Sequence, residues 1–432
     1  MAQNLTPLDA GAHIRGVCFK TGPPARVGVE LEWLVHDLAD PLRQVPPERV
    51  ETALAALAAA GTLPGGGSLT REPGGQVEVS SRPGSLISCI ADTGADCAAL
   101  RWALAEHGLS LTGWGLEPFL EPGRVLDHPR YQAMETFFDR GGPWGRWMMR
   151  ATAGVQVNLD AGDDGDGVSG WRRRWRLAHR IGPVLAGAFA NSPLWHGRPT
   201  GFRSSRQALW SRLDPGRSSA PPDGGQGADP RSAWADYALD AEVLCVRRAD
   251  PEPWHVPAGL TLRSWLEGGS GLPPPTRADL DYHLTTLFPP VRPRGWIELR
   301  MIDAQHGNGW SVPLVVATTL LDDPRVAEAA WAATEPLCDG ALVPDAAMWE
   351  RAARHGLSAP ELGKAALGCF AAVESALGET GGAGGADTVA GLRAEVTAFI
   401  ERYVARGRCP ADDYLDALHC GASLQPLEEA WR

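Results

Sequence analysis

The sequence predicts an α+β protein: an antiparallel sheet with one apolar face on helices and one polar face, followed by a largely helical C-terminal third. Three observations carry this. Residues 27–33, 76–80, 155–160 and 297–302 alternate apolar and polar side chains with the period of two that gives a strand two unlike faces. Apolar residues recur at three and four over 48–60, 87–107 and 170–190, as on a helix with a buried stripe. The same helical spacing dominates from Pro313 onward.

In the first run, Val27, Val29, Leu31 and Trp33 oppose Gly28, Glu30 and Glu32. In the second, Val77 and Val79 oppose Gln76, Glu78 and Ser80, and Glu72 stands just before, across a Pro73-Gly74-Gly75 turn. The third sets Val155, Val157 and Leu159 against Gln156, Asn158 and Asp160. The fourth sets Ile297, Leu299 and Met301 against Glu298 and Arg300, with Ile302 breaking the polar series. A solvated sheet face explains any one of these strands. Four strands that repeatedly offer Glu, Gln, Asn and one Arg point instead to a shared site. Carboxylates about 5 Å apart repel by roughly 3 kcal/mol per pair at an effective dielectric of 20. A hard divalent cation offsets that repulsion, and magnesium favours a few carboxylates together with water and phosphate oxygens. The sheet then reads as a magnesium-nucleotide platform.

A second cluster spans 191–217. Arg203 and Arg206, three apart at an expected helix start, either face one carboxylate or phosphate ligand or form surface salt bridges, and Trp195, Phe202 and Trp210 around them favour a pocket. No His stands at ligand or catalytic spacing, and none is assigned to chemistry. The glycines at 65–67 and 74–75 match neither phosphate-loop nor dinucleotide fingerprints and serve turns. Eight cysteines without a CxxC pair read as free thiols.

The remaining composition narrows the class. With 432 residues, 44% apolar and 21% charged, the chain is globular, and no apolar stretch approaches a membrane span. A net charge of −12 argues against nucleic acid as a partner. The N-terminus shows no basic segment followed by an apolar run, so the expected location is the cytoplasm. Pro/Gly-rich stretches at 63–68, 161–170, 214–230, 268–275 and 379–387 read as surface loops rather than domain boundaries. One catalytic domain over 1–432 is expected, with the motifs in 1–310 and a helical part over 311–432.

Six ordered blocks resemble the glutamate-cysteine ligase family: GVELEWLV (28–35), REPGGQVEVS (71–80), TAGVQVNLD (152–160), NSPLWHGRPTGFRSSRQALW (191–210), YALDAEVLCV (237–246) and HLTTLFPPVRPRGWIELR (283–300). The resemblance is to its plant and actinobacterial branch, and among these to the actinobacterial enzymes of ergothioneine biosynthesis. It implies a sheet curved into a funnel, related to the catalytic domain of glutamine synthetase. It also implies that Glu30, Glu32, Glu72, Glu78 and Glu298 ligate magnesium and that Arg300 stands against the transferring phosphate. The implied reaction uses ATP to activate the γ-carboxylate of L-glutamate for attack by L-cysteine. Within that scheme Arg206 meets a substrate carboxylate or phosphate, while Gln76, Gln156 and Asn158 orient substrate or metal-bound water. Another amine acceptor, transfer of phosphate to a guanidino compound on the related fold, and a silent metabolite-binding protein are the competing readings.

Overall fold

The computed structural model describes residues 5–223, 228–249, 252–379 and 386–421. Strands β1 (Val27–Asp37), β2 (Ser68–Arg71), β3 (Val77–Ser80), β4 (Leu109–Thr112) and β5 (Gly154–Asp160) precede a two-stranded hairpin, β6 (Leu194–Trp195) and β7 (Arg198–Pro199). Strands β8 (Val291–Pro293) and β9 (Trp296–Asp303) close the set. The main sheet has the order β2-β3-β1-β5-β9-β8, and β4 pairs with the far end of β1. Every ladder is antiparallel.

The alternation in sequence becomes two faces in space. Val29, Leu31, Val77, Val79, Val155, Val157, Leu159 and Leu299 are buried together in one core. Helices Trp171–Ala188 and Ser311–Asp322 cover that face, each buried around most of its circumference. The expected helix over 170–190 therefore forms, despite Pro183 in its interior. Gly182 on this helix lies under the Trp349 ring, and a Cβ there would sit 2.1 Å from a ring carbon. Helices Pro47–Ala60 and Leu86–Ala105 match the other two expected segments; the first ends on Gly61 at φ +75, and Ser85 caps the second through Ser88 N.

The C-terminal part is helical over Pro324–Thr334, Ala346–His355, Pro360–Glu379, Ala386–Arg402 and Pro410–His419. It joins the sheet's core through aromatic packing: the Phe189 ring lies 6.0 Å from Phe370 and 4.9 Å from Phe399. The loops expected at 214–230 and 379–387 lie partly outside the described residues. Cys18, Cys89, Cys97, Cys245, Cys338, Cys369 and Cys409 are buried free thiols and Cys420 is exposed and free, as their spacing implied. Among the described residues, no helix is long and apolar enough to cross a membrane.

One strand departs from strict alternation. Between β5 and β9 the pairs Val157–Leu299 and Val155–Ile302 bracket a bulge, so Gln156 alone faces Arg300 and Met301. The extra residue shifts the later part of β9, placing Ile302 opposite Val155 on the apolar side. Its break in the polar series is thus the trace of the bulge and leaves no apolar residue on the polar face.

Candidate active site

Pairing register gathers the polar residues. Glu32 stands directly opposite Glu78 across β1 and β3, and Glu30 opposite Gln156 across β1 and β5. Asn158 faces Glu298 across β5 and β9. Glu72 follows β2 at the head of a turn whose Gly75 adopts φ +94, a conformation that favours glycine. These elements enclose a cavity of about 230 Å³ walled by Glu30, Glu32, Glu72 and Glu78, with Arg206 and Arg300 among them. Tyr131, Met148, Trp210 and Phe288 give it an apolar side.

No cation within 4 Å pairs with any of those four carboxylates among the described residues. Glu32 accepts from Gly154 N at 2.8 Å and Gln156 Nε2 at 2.9 Å. Glu78 accepts from the Thr70 and Ser80 hydroxyls, at 2.8 and 3.1 Å. Glu30 has only a 3.4 Å contact from Asn158 Nδ2. Burial, then repulsion from Glu298 and Glu78, pushes Glu30 up to about 7. Burial followed by Glu32 and Glu78 pushes Glu72 up to about 8. Glu32 and Glu78 are raised for the same reasons, with burial first. Opposed Glu side chains on neighbouring strands are destabilising unless compensated.

Glu298 behaves differently. Arg292 grips both of its oxygens, and Arg300 Nη1 donates to Oε1 at 3.1 Å. Although burial pushes the Glu298 carboxyl up, Arg292 and Arg300 hold it down at about 2. Arg300 Nη1 also donates to Gln156 Oε1, so Gln156 bridges Arg300 and Glu32. The β8–β9 hairpin supplies this arrangement, because Arg292 pairs with Glu298 across it. Sequence reasoning missed Arg292; the signal was the Pro-Arg-Gly turn at 293–295, whose register sets Val-Arg-Pro against Ile-Glu-Leu. It also missed Arg130, which lines the cavity while its guanidinium donates to Thr285 O and Oγ1.

Several expected ligand contacts take other roles. Arg203 and Arg206 do not share a ligand. Helix Ser205–Trp210 starts after its cap, Ser204, so Arg203 lies outside it and the three-residue spacing does not align the two. Arg203 turns away to Asp412, 2.6 Å distant. Gln76 lines the cavity, but its amide is spent on the turn, donating to Thr152 O at 2.8 Å and accepting from Gly74 N at 3.0 Å. Asn158 accepts from Trp296 Nε1 at 2.8 Å and sits behind the cavity wall. Of the three aromatic residues expected around a pocket, only Trp210 lines this one.

Arg206 does reach the cavity, and the β9 bulge holds it. Its Nη2 donates to Arg300 O at 3.0 Å, while the next residue, Gln207, donates to Met301 O. The Nε and Nη1 atoms of Arg206 are buried without a hydrogen-bond partner. Beneath it lies Asp303, fully buried, accepting from Asn191 N, Ser192 Oγ and Ser204 Oγ at 2.7–2.9 Å, with Arg206 Nη1 at 3.8 Å. Burial raises the Asp303 carboxyl even against Arg206. Asp303→Asn keeps shape but gives up the charge that orients Arg206. A substrate-binding role for Arg206 predicts that steady-state kinetics show KM for one substrate rising about tenfold with kcat little changed; equal losses in both would place Arg206 in the chemical step instead.

A larger cavity, about 310 Å³, lies against the C-terminal helices. One of its charged groups, Asp413, is already engaged by Arg402, Arg408 and Tyr403, and it holds no comparable set of unpaired carboxylates.

The family model for Glutamate-cysteine ligase family 2(GCS2) matches residues 26–431. The chain belongs to this glutamate-cysteine ligase family. It is 41% identical over 414 residues to the glutamate–cysteine ligase EgtA of Mycolicibacterium smegmatis, covering 94% of this chain and 90% of that one. A second ligase of that name, from Mycobacterium tuberculosis, is 39% identical over 423 residues, 95% of this chain and 90% of the relative. The chloroplastic ligase of Nicotiana tabacum is 29% identical over 328 residues, covering 72% and 61%. Among solved structures, a bifunctional glutathione synthetase from Pasteurella multocida superposes with a TM-score of 0.50 at 13% identity, covering 98% of this chain and 53% of that chain. That last likeness establishes the fold. The family's sheet and the apolar-polar alternation of this chain describe the same architecture.

Proposed function

We propose that the protein joins the γ-carboxylate of L-glutamate to the amine of L-cysteine at the expense of ATP, forming γ-glutamylcysteine for ergothioneine biosynthesis, with residues 1–432 acting as one catalytic domain in the cytoplasm. The observation that carries the reading, beside family membership, is the cavity in which four partly buried carboxylates lack any cationic partner among the described residues while Arg300 and Arg206 stand beside them.

These residues fit magnesium. Carboxylate oxygens are the donors the ion prefers, and buried carboxylates without a counter-ion are costly until one arrives. As the side chains stand, no three acidic, His or Cys groups among the described residues close around one point. Glu30, Glu32, Glu72 and Glu78 would therefore turn inward to hold the ion, and Glu298 would join only as Arg292 releases it. When bound, magnesium supplies neutralisation of phosphate charge.

The chain's own residues do the rest. Glutamate's γ-carboxylate oxygen attacks the γ-phosphorus, ADP leaves, and γ-glutamyl phosphate forms. Arg300, fixed by Gln156 and Glu298, offers its guanidinium to the transferring phosphoryl oxygens. Arg206 offers its Nε, which has no hydrogen-bond partner, to a substrate carboxylate. The cysteine amine then adds to the acyl carbon, phosphate leaves, and the amine loses a proton. The apolar side formed by Tyr131, Met148, Trp210 and Phe288 excludes water, which would otherwise hydrolyse the acyl phosphate.

The test is ADP release from ATP, magnesium and glutamate with and without cysteine, with products identified by mass. Cysteine-dependent γ-glutamylcysteine is the expected result. ADP formed only with another amine would replace the acceptor, a stable phosphorylated guanidino product would replace the reaction, and no ADP with any acceptor would leave a binding protein.

A further inference from the structure

Behind the turn that carries Glu72 lies a second, smaller cavity of about 80 Å³. The two cavities share a wall: Glu72, Pro73 and Gln76 face the carboxylate site, while Arg71, Gly74, Gly75 and again Gln76 face the smaller space. We propose that this second cavity is a binding site for a small oxyanion, a carboxylate or phosphate of a few atoms, held by Arg71.

Three features converge there. Arg71 is largely buried, yet its Nε and Nη1 make no hydrogen bond. The nearest carboxylate, Glu51, is 3.7 Å away and largely exposed, a weak and solvent-screened partner. A guanidinium largely withdrawn from water with only that weak partner is costly, and an oxyanion answers its charge and a free N–H. The helix Pro47–Ala60 begins at the same cavity, with Pro47 on the wall, and no side chain caps it. Pro46 and Pro47 carry no N–H and Arg49 N donates to Pro46 O, so the helix adds only the positive end of its dipole on that side. Arg150 is the second basic residue on the wall, partly spent on Glu135.

The acidic residue present does not compete. Glu117 gives one oxygen to His36 at 2.7 Å and the other to Phe119 N and Leu120 N. Apart from Gln44, the remaining side chains on the walls, including Leu34, Val45, Val50 and Val125, are apolar and leave most of the anion's hydrogen bonds to Arg71 and its neighbours. An occupant bonded to Arg71 braces the β2–β3 turn from behind, so binding is read directly as resistance to unfolding.

Inorganic phosphate and acetate are the probes, each titrated into the full-length protein in EDTA while thermal unfolding is followed, in the wild type, Arg71→Leu and Arg71→Lys. At ten times its dissociation constant either anion should raise the unfolding midpoint by about 2 °C. That increment should vanish in Arg71→Leu and persist in part in Arg71→Lys, with ligase turnover of both variants within twofold of wild type. A rise with phosphate alone or with acetate alone supports the site and names its anion. An equal rise in wild type and Arg71→Leu would place the anion in the carboxylate cavity and overturn the proposal, as would no rise with either anion.

Discussion

Glu72→Gln is expected to abolish ligase turnover, by at least a hundredfold, while making the metal-free protein more stable at pH 8. Glu72 lines the cavity with neither an ion pair nor a side-chain hydrogen bond among the described residues, and burial with Glu32 and Glu78 nearby pushes it up to about 8. Below the ordinary carboxylate range both folded and unfolded chains hold this proton and nothing is lost. Between that range and pH 8 the folded chain keeps a proton that the unfolded chain has released, so stability falls as pH rises. Above pH 8 the cost is fully present, on the order of 2–4 kcal/mol once coupling among the carboxylates is allowed for. Glutamine keeps the shape and removes the charge. In EDTA the variant's unfolding midpoint should exceed wild type by about 2–4 °C at pH 8, and the gap should close toward pH 5. Magnesium should raise the wild-type midpoint more than the variant's. Equal midpoints at pH 8, or near-normal turnover, would remove Glu72 from the cation site.

Arg300→Lys should lower kcat by roughly a hundredfold to ten-thousandfold with a smaller change in KM. Arg300 Nη1 alone contacts both Gln156 Oε1 and Glu298 Oε1, leaving the rest of a planar fork to meet phosphoryl oxygens. A lysine ammonium preserves charge but not the fork, and it cannot satisfy two fixed acceptors and a moving phosphate together. The fold should survive, because Arg292 still holds both Glu298 oxygens. Circular dichroism and the unfolding midpoint provide that check. A kcat within tenfold of wild type would mean that charge alone suffices and that the phosphate is oriented elsewhere.

The two substitutions probe different arrangements of like chemistry. Glu72 is a carboxylate with no ion pair among the described residues, whereas Glu298 has one in Arg292. Burial raises both; the neighbouring carboxylates add to it at Glu72, which reaches about 8, whereas Arg292 and Arg300 bring Glu298 down to about 2.

The sequence by itself determined which residues share the polar face. Alternation with period two is a local property of an extended chain, so Glu30 and Glu32, Gln156 and Asn158, and Glu298 and Arg300 were assigned to common faces before any pairing was known. The helices over 48–60, 87–107 and 170–190 were legible for the same local reason. The ordered motifs added the family.

Tertiary structure decided what those residues touch. Strand register placed Glu32 against Glu78 and Arg292 against Glu298. A one-residue bulge in β9 returned Ile302 to the apolar face and left carbonyls for Arg206 and Gln207. The Ser204 cap starts the helix at Ser205, two residues too late for Arg203, which pairs with Asp412 from the distant C-terminal part. Gln76 is polar and in the cavity, yet its amide serves the backbone of its own turn and of the segment before β5. Periodicity is written in neighbours along the chain, whereas partnership depends on register, bulges and contacts between segments hundreds of residues apart. The sequence therefore determined the face and its chemistry, and only the folded protein decided which of its carboxylates are held by a cationic side chain.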